Sequence, residues 1–160
     1  MEILDGFEYL DEVIALFAEY KNFLGLDLSF QPADETSDEI VNRYKDGKIF
    51  ISKIDSKFAG VIAYHRMEDP QNCELKRFFV RKEFRGLKIG RFLIEHAINS
   101  ARLEGYRSIF LDTHEDLKLA RHLYESLGFK KIPPYYFNPL EKVVYYRLKL
   151  EVMFHDNEFE

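Results

Sequence analysis

Between Lys76 and Arg91 the chain concentrates side chains suited to an anionic ligand. Seven basic residues (Lys76, Arg77, Arg81, Lys82, Arg85, Lys88 and Arg91) stand there against one acidic residue, Glu83. At the centre lies RGLKIG, from Arg85 to Gly90, between an apolar run ending at Val80 and an amphipathic run that follows. A helix start leaves backbone N–H groups unpaired and carries partial positive charge, which suits phosphate. RGLKIG matches neither GxxxxGK[ST] nor GxGxxG, so a P-loop and a dinucleotide fingerprint are both excluded. Residue types alone leave two readings. One is a phosphate cradle; the other is a solvated basic helix start whose glycines ease a turn.

The elements that must position this segment can be read from periodicity. Phe7, Leu10, Ile14, Phe17 and Leu24 form one apolar stripe, which predicts a helix over Phe7–Leu24. Pro32 marks a loop, and Thr36 with Glu39 forms a capping box that opens a short second helix ending by Gly47. Lys48–Ile54 and Phe58–His65 read as a hairpin around Asp55 and Ser56, followed by a strand over Cys73–Val80. A helix is predicted from Leu87 to Leu103, with Gly105 as its stop. Then come a buried strand over Ser108–Asp112, a helix over Asp116–Leu127, and strands over Phe129–Ile132 and Lys142–Leu150. Ala120, Leu123, Tyr124 and Leu127 share one face of the later helix. This order predicts an α/β fold in a single domain, residues 1–150, with an acidic tail over residues 151–160.

Composition limits the functions such a domain can have. The chain has 160 residues, 46% of them hydrophobic, enough for one core without staples. Lys+Arg 23 against Asp+Glu 28 gives a net charge of -5, which argues against a long nucleic-acid track or an anionic membrane as partner. No apolar run reaches the roughly 20 residues that span a bilayer, and the start lacks a basic leader, so a cytoplasmic protein is expected. The single cysteine, Cys73, excludes an internal disulfide and reads as a small buried hydrophobe. The five histidines show no HExxH or close pairing, so no metal site is expected.

Arg85–Gly90 resembles motif A of the GNAT superfamily of acyl-CoA-dependent N-acetyltransferases, [RQ]xxGx[GA] after a strand. Arg85 and Gly90 match its ends, and Lys88 replaces its middle glycine. ELKRFFVRKEFRG (Glu74–Gly86) is similar to the family's fourth strand and loop, and LARHLYESLGF (Leu119–Phe129) to its later helix with the LYxxxGF ending. IPPYYFNP (Ile132–Pro139) looks like one branch of the superfamily.

The resemblance implies a GNAT fold, with a mixed central β-sheet flanked by helices. It implies a strand at Phe78, Phe79 and Val80 that splays from its neighbour and pairs with a pantetheine arm. It also implies a pyrophosphate cradle formed by Arg85, Gly86, Leu87, Lys88, Ile89 and Gly90. On residue pattern alone Tyr124 reads first as a core tyrosine on an apolar face; the resemblance favours a catalytic role, because it matches the tyrosine that protonates the leaving thiolate in many relatives. Glu74 matches the general base of one branch, which is needed because an amine with pKa near 10 is mostly protonated at neutral pH. Simple alternation places Glu74, Lys76, Phe78 and Val80 on one face, where Glu74 and Lys76 could merely form an ion pair. His114 is a reserve base, and Leu117 stands where relatives carry asparagine. Phe30, Gln31 and Tyr135–Phe137 are the expected walls of an acceptor pocket.

The expected activity is transfer of an acetyl group from acetyl-CoA to a primary amine, on a small molecule or a peptide, by direct attack in a ternary complex. The alternative is a non-catalytic acyl-CoA-binding sensor, for which Lys88 and Leu117 are the sequence support. A homodimer is compatible with the family and is not fixed by the sequence.

Overall fold

The computed structural model describes residues 1–151, so the expected acidic tail lies outside the described residues beyond Glu151. Seven strands form one mixed sheet in the order β1-β2-β3-β4-β5-β7-β6. They are β1 (Glu2–Asp5), β2 (Gly47–Ile54), β3 (Lys57–Arg66), β4 (Asn72–Val80), β5 (Ser108–His114), β6 (Lys130–Ile132) and β7 (Val143–Lys149). Helices α1 (Leu10–Leu24) and α2 (Ser37–Tyr44) cover one face; α3 (Ile89–Leu103) and α4 (Lys118–Ser126) cover the other. β1 has no counterpart among the predicted strands. It is only four residues long and completes the edge by pairing antiparallel with β2.

Local chemistry explains the boundaries. α1 starts later than its apolar stripe suggests, because Asp5 caps a 3₁₀ turn over Gly6–Glu8 by accepting from the Phe7 N–H at 2.9 Å. It stops at Gly25, where φ is +64°. Thr36 and Glu39 form the expected capping box of α2. Asp55 and Ser56 both take positive φ, 47° and 67°, as a two-residue hairpin turn requires.

Two irregularities in β4 build the site. Val61 of β3 pairs with Phe79, yet Ala63 pairs with Lys76, so Ile62 faces both Arg77 and Phe78. This is a β-bulge, and Arg77 within it takes φ +58°. The extra residue shifts the side-chain phase. Cys73, Leu75, Phe78 and Val80 pack toward α3 and α4, while Phe79 packs with α1. Glu74 and Lys76 therefore do not share a face with Phe78 and Val80, contrary to simple alternation. The second irregularity lies on the other edge. β4 pairs with parallel β5 only from Asn72 to Glu74, against Ser108 to Phe110, and then the two strands part.

Candidate active site

Where β4 leaves β5, a cavity of about 860 Å³ passes between the two faces of the sheet. Its first half is built from β4 and the start of α3. Phe78, Phe79 and Val80 line it, on a strand edge that no described strand occupies past Glu74. An open edge of this kind offers backbone donors and acceptors to an extended amide chain.

The chain then passes through a 3₁₀ turn over Lys82–Phe84 and enters α3 at Ile89. Gly86 has φ +87° and Lys88 has φ +63°. Lys88 thus holds the left-handed conformation that a glycine would adopt, at a strain of about 1 kcal/mol. The departure from motif A changes the residue type and leaves the backbone shape intact. A Cβ on Gly90 would come within 2.9 Å of Phe78 Cζ, so any side chain there requires the Phe78 ring to shift.

The side chains of this segment divide by role. Arg85 donates from Nε to the Val80 carbonyl at 3.1 Å and rests its guanidinium over Phe23 at 4.8 Å, which ties the turn to β4 and α1. Ile89 is buried in the core. Lys88 and Arg91 lie on the cavity wall. Leu87 is exposed and off that wall, so only its backbone can serve a ligand there.

Tyr124 sits at the junction of the two halves. α4 presents it from the apolar face, 5% exposed, against Phe78, Phe129 and Tyr146. It lines the cavity, and its hydroxyl has no hydrogen-bond partner among the described residues. Burial pushes its pKa well above the ordinary phenol value, and the charges of Tyr20 and Asp112 add to the effect. Tyr124 is thus packed in the core, as its place on the apolar face of α4 predicts, and it also reaches the cavity.

The second half is polar and lies on the α1 face. Asp112, near the end of β5, accepts from Lys76 Nζ at 3.2 Å, Tyr136 Oη at 2.6 Å and Asn138 Nδ2 at 3.2 Å. Arg77, thrown across the sheet by the bulge, pairs through Nε with Asp34 at 2.5 Å and donates from Nη1 to Gln31 Oε1 at 2.8 Å. Lys21 Nζ stands 2.6 Å from the other Asp34 oxygen as an ion pair outside hydrogen-bond alignment. The neighbouring cations hold the Asp34 carboxyl below the ordinary range despite its burial. Through these contacts the bulge anchors the α1–α2 connection over the cavity, with Gln31 and Leu28 on its wall.

Glu74 stands behind Lys76 and is not on the cavity wall. Its Oε1 lies 3.4 Å from Lys76 Nζ and 3.1 Å from His65 Nε2, and its Oε2 accepts from Tyr135 Oη at 2.6 Å. Burial alone would raise its pKa. The His65 hydrogen bond, the Lys76 charge and the Tyr135 hydrogen bond outweigh that and hold it at about 2. The anticipated Glu74–Lys76 ion pair is present.

Of the residues expected to wall an acceptor pocket, Gln31 lines the cavity and the aromatic ones do not. Tyr135 and Tyr136 are tethers that fasten the β6–β7 connection to Glu74 and Asp112, while Asn138 and Leu140 face the cavity. Phe137 and Phe30 are exposed and off the wall. His114 lines the cavity, and its Nδ1 accepts from the Asp116 N–H at 3.1 Å at the entry to α4. Leu117 caps α4 without a side-chain hydrogen bond. Cys73 is fully buried, and burial pushes its thiol up to about 12. No cluster of metal-ligating side chains, and no helix long and apolar enough to cross a membrane, occurs among the described residues.

Asp112 and Tyr20 had no place in the sequence reading of the site, and Arg77 figured only among the basic residues around the turn, whereas it points instead to Asp34 and Gln31. An aspartate ending an otherwise buried strand is the signal that could have exposed Asp112. Arg77 carries no such signal, because nothing in its type marks a bulge.

Comparison with known proteins agrees with this architecture. Residues 10–129 match the profile of the acetyltransferase (GNAT) family. An uncharacterized N-acetyltransferase of Schizosaccharomyces pombe is 39% identical over 144 residues, covering 88% of each chain. Another from Dictyostelium discoideum is 29% identical, covering 94% of this chain and 99% of its own. A GNAT-family acetyltransferase crystal structure from Staphylococcus aureus superposes with a TM-score of 0.76 at 25% identity, over 94% of this chain and 99% of that one. Open strand edge, left-handed turn, buried tyrosine and these likenesses together lead to one conclusion: the chain belongs to the GNAT family of N-acetyltransferases.

Proposed function

We propose that the protein moves an acetyl group from acetyl-CoA to a primary amine by direct attack in a ternary complex. The observation that carries this reading is the unpartnered Tyr124 hydroxyl on the wall of the cavity where β4 parts from β5. The chain fits coenzyme A at the adjoining half. The open edge at Phe78–Val80 receives the amides of the arm, and the N–H groups between Gly86 and Gly90 face the pyrophosphate. Acetyl-CoA supplies the acyl group as a thioester. Breaking its C–S bond requires a thiolate whose conjugate acid has a pKa near 8.5 to be stabilised.

Tyr124 serves that end. With its pKa raised it stays protonated, and its O–H donates to the sulfur as negative charge develops. The ammonium first gives one proton to water; the neutral amine nitrogen then forms the new C–N bond as the C–S bond breaks, and it loses a second proton that balances the one gained by the thiol. Asp112, a carboxylate on the wall, is placed to receive the ammonium before attack. Glu74 is assigned to positioning: off the wall, fully partnered and with a pKa of about 2, it is a poor direct proton acceptor. It holds Lys76 and Tyr135 in place.

The test combines a thermal shift with a thiol-release assay. Acetyl-CoA is expected to raise the melting temperature, and an amine panel is expected to contain a substrate that is turned over. Stabilisation with no turnover of any amine, including peptide N-termini and lysines, contradicts catalysis and leaves an acyl-CoA-binding sensor.

A further inference from the structure

Two charge clusters of opposite sign lie beside the polar half of the cavity, and Arg77, Lys76 and Asp112 bring them to its wall. Lys21, Asp34 and Arg77 place two cations around one anion. Glu74, Lys76 and Asp112 place two anions around one cation. The clusters adjoin in sequence across the bulge, since Lys76 and Arg77 are neighbours whose side chains diverge. Glu35 is 3.9 Å from Lys21 but lies exposed to solvent, where screening weakens its effect.

Arg77, on the cavity wall, has hydrogen-bonding capacity that no described residue uses. Arg77 is 4% exposed, and while Nε and Nη1 are committed to Asp34 and Gln31, its Nη2 has no hydrogen bond to any described residue. Tyr20 of α1, also on the wall, has a hydroxyl without a described partner. Arg77 and Tyr20 are near enough for the guanidinium charge to act on the phenol. A buried guanidinium edge beside a phenolic O–H is a receptor for a carboxylate. On the opposite side, Asp112 bears the negative charge an ammonium requires.

Resting on the acetyl-transfer reading above, we propose that the acceptor is a free amino acid, or an equivalent amine with a carboxylate close to its nitrogen. Asp112 receives the ammonium end, and Arg77 Nη2 with the Tyr20 hydroxyl receives the carboxylate. Amines without a carboxylate leave the Arg77 edge unpaired in a desolvated pocket, which penalises their binding.

The experiment uses matched trios in the thiol-release assay with acetyl-CoA: each standard L-amino acid, its amide and its decarboxylated amine, with short peptides alongside. At least one free amino acid is expected to be turned over, with kcat/KM higher than for its amide by about tenfold or more. Tyr20→Phe removes only a hydroxyl and is expected to raise KM for the free acid more than for its amide, so that the preference for the acid falls. Arg77→Lys retains a cation for Asp34 and is expected to act in the same direction. Equal rates for acid, amide and decarboxylated amine, or a preference for peptides, overturn the inference while the transfer reading stands. Stabilisation by acetyl-CoA without turnover of any amine overturns both.

Discussion

Lys76 Nζ stands 3.2 Å from Asp112 Oδ1, joining β4 to β5 beyond the last residues whose backbones pair. Glu74 Oε1 lies 3.4 Å from the same ammonium, so one buried cation is shared by two strands. The opening between the strands is therefore fixed by side chains where backbone pairing has ceased. Tyr135 and Tyr136 extend the clasp to the β6–β7 connection.

Acid should loosen this clasp within a defined window. The folded-state pKa of Glu74, about 2, lies below its ordinary value of 4.5. Its contribution to stability is thus present above pH 4.5 and is lost as pH falls toward 2. That contribution is up to about 3 kcal/mol by linkage. The lowered Asp34 carboxyl acts in the same direction. Urea denaturation across this range should show a steep loss for the wild type and a shallower one for Glu74→Gln. Parallel pH profiles would contradict the placement of Glu74.

Gly90→Ala adds a methyl group 2.9 Å from Phe78 Cζ. The ring must move toward the cofactor half of the cavity. Alanine is the better helix former by up to about 1 kcal/mol, so the melting temperature should change little. The Kd for acetyl-CoA, measured by calorimetry, should rise about tenfold, in line with a misfit of the order of 1.4 kcal/mol. An unchanged Kd would show that Phe78 does not border the bound arm.

Lys88→Gly separates backbone shape from charge at the turn. Glycine relieves the left-handed strain at φ +63°, so the melting temperature should hold or rise. The loss of one cation should weaken the salt dependence of acetyl-CoA binding. A fall in melting temperature would mean that the lysine side chain makes a stabilising contact.

Much of the backbone geometry around the turn from β4 into α3 was legible in the sequence, because it falls on consecutive residues. Glycines, basic side chains and a strand-to-helix transition all lie between Phe78 and Gly90, and Tyr124 follows from a short helical motif. The polar half of the cavity was far less legible. Tyr20, Gln31, Arg77, Asp112 and Asn138 come from five separate stretches of chain, brought together by a sheet order that sets β5 beside β4 and β7. The bulge at Arg77 had no residue-type mark, since a left-handed arginine looks like any other. One inserted residue was enough to reverse the expected facing of Glu74 and Lys76 relative to Phe78. Tyr135 and Tyr136 read as pocket aromatics because their hydroxyls gave no hint of the distant carboxylates they meet.

If Tyr124 supports departure of the thiolate, Tyr124→Phe must slow the chemical step. The hydroxyl has no described partner, so its removal should cost the fold little. With a turned-over amine, kcat should fall by about 10²-fold or more while the Kd for acetyl-CoA stays within about twofold. A kcat equal to the wild type would contradict the assignment.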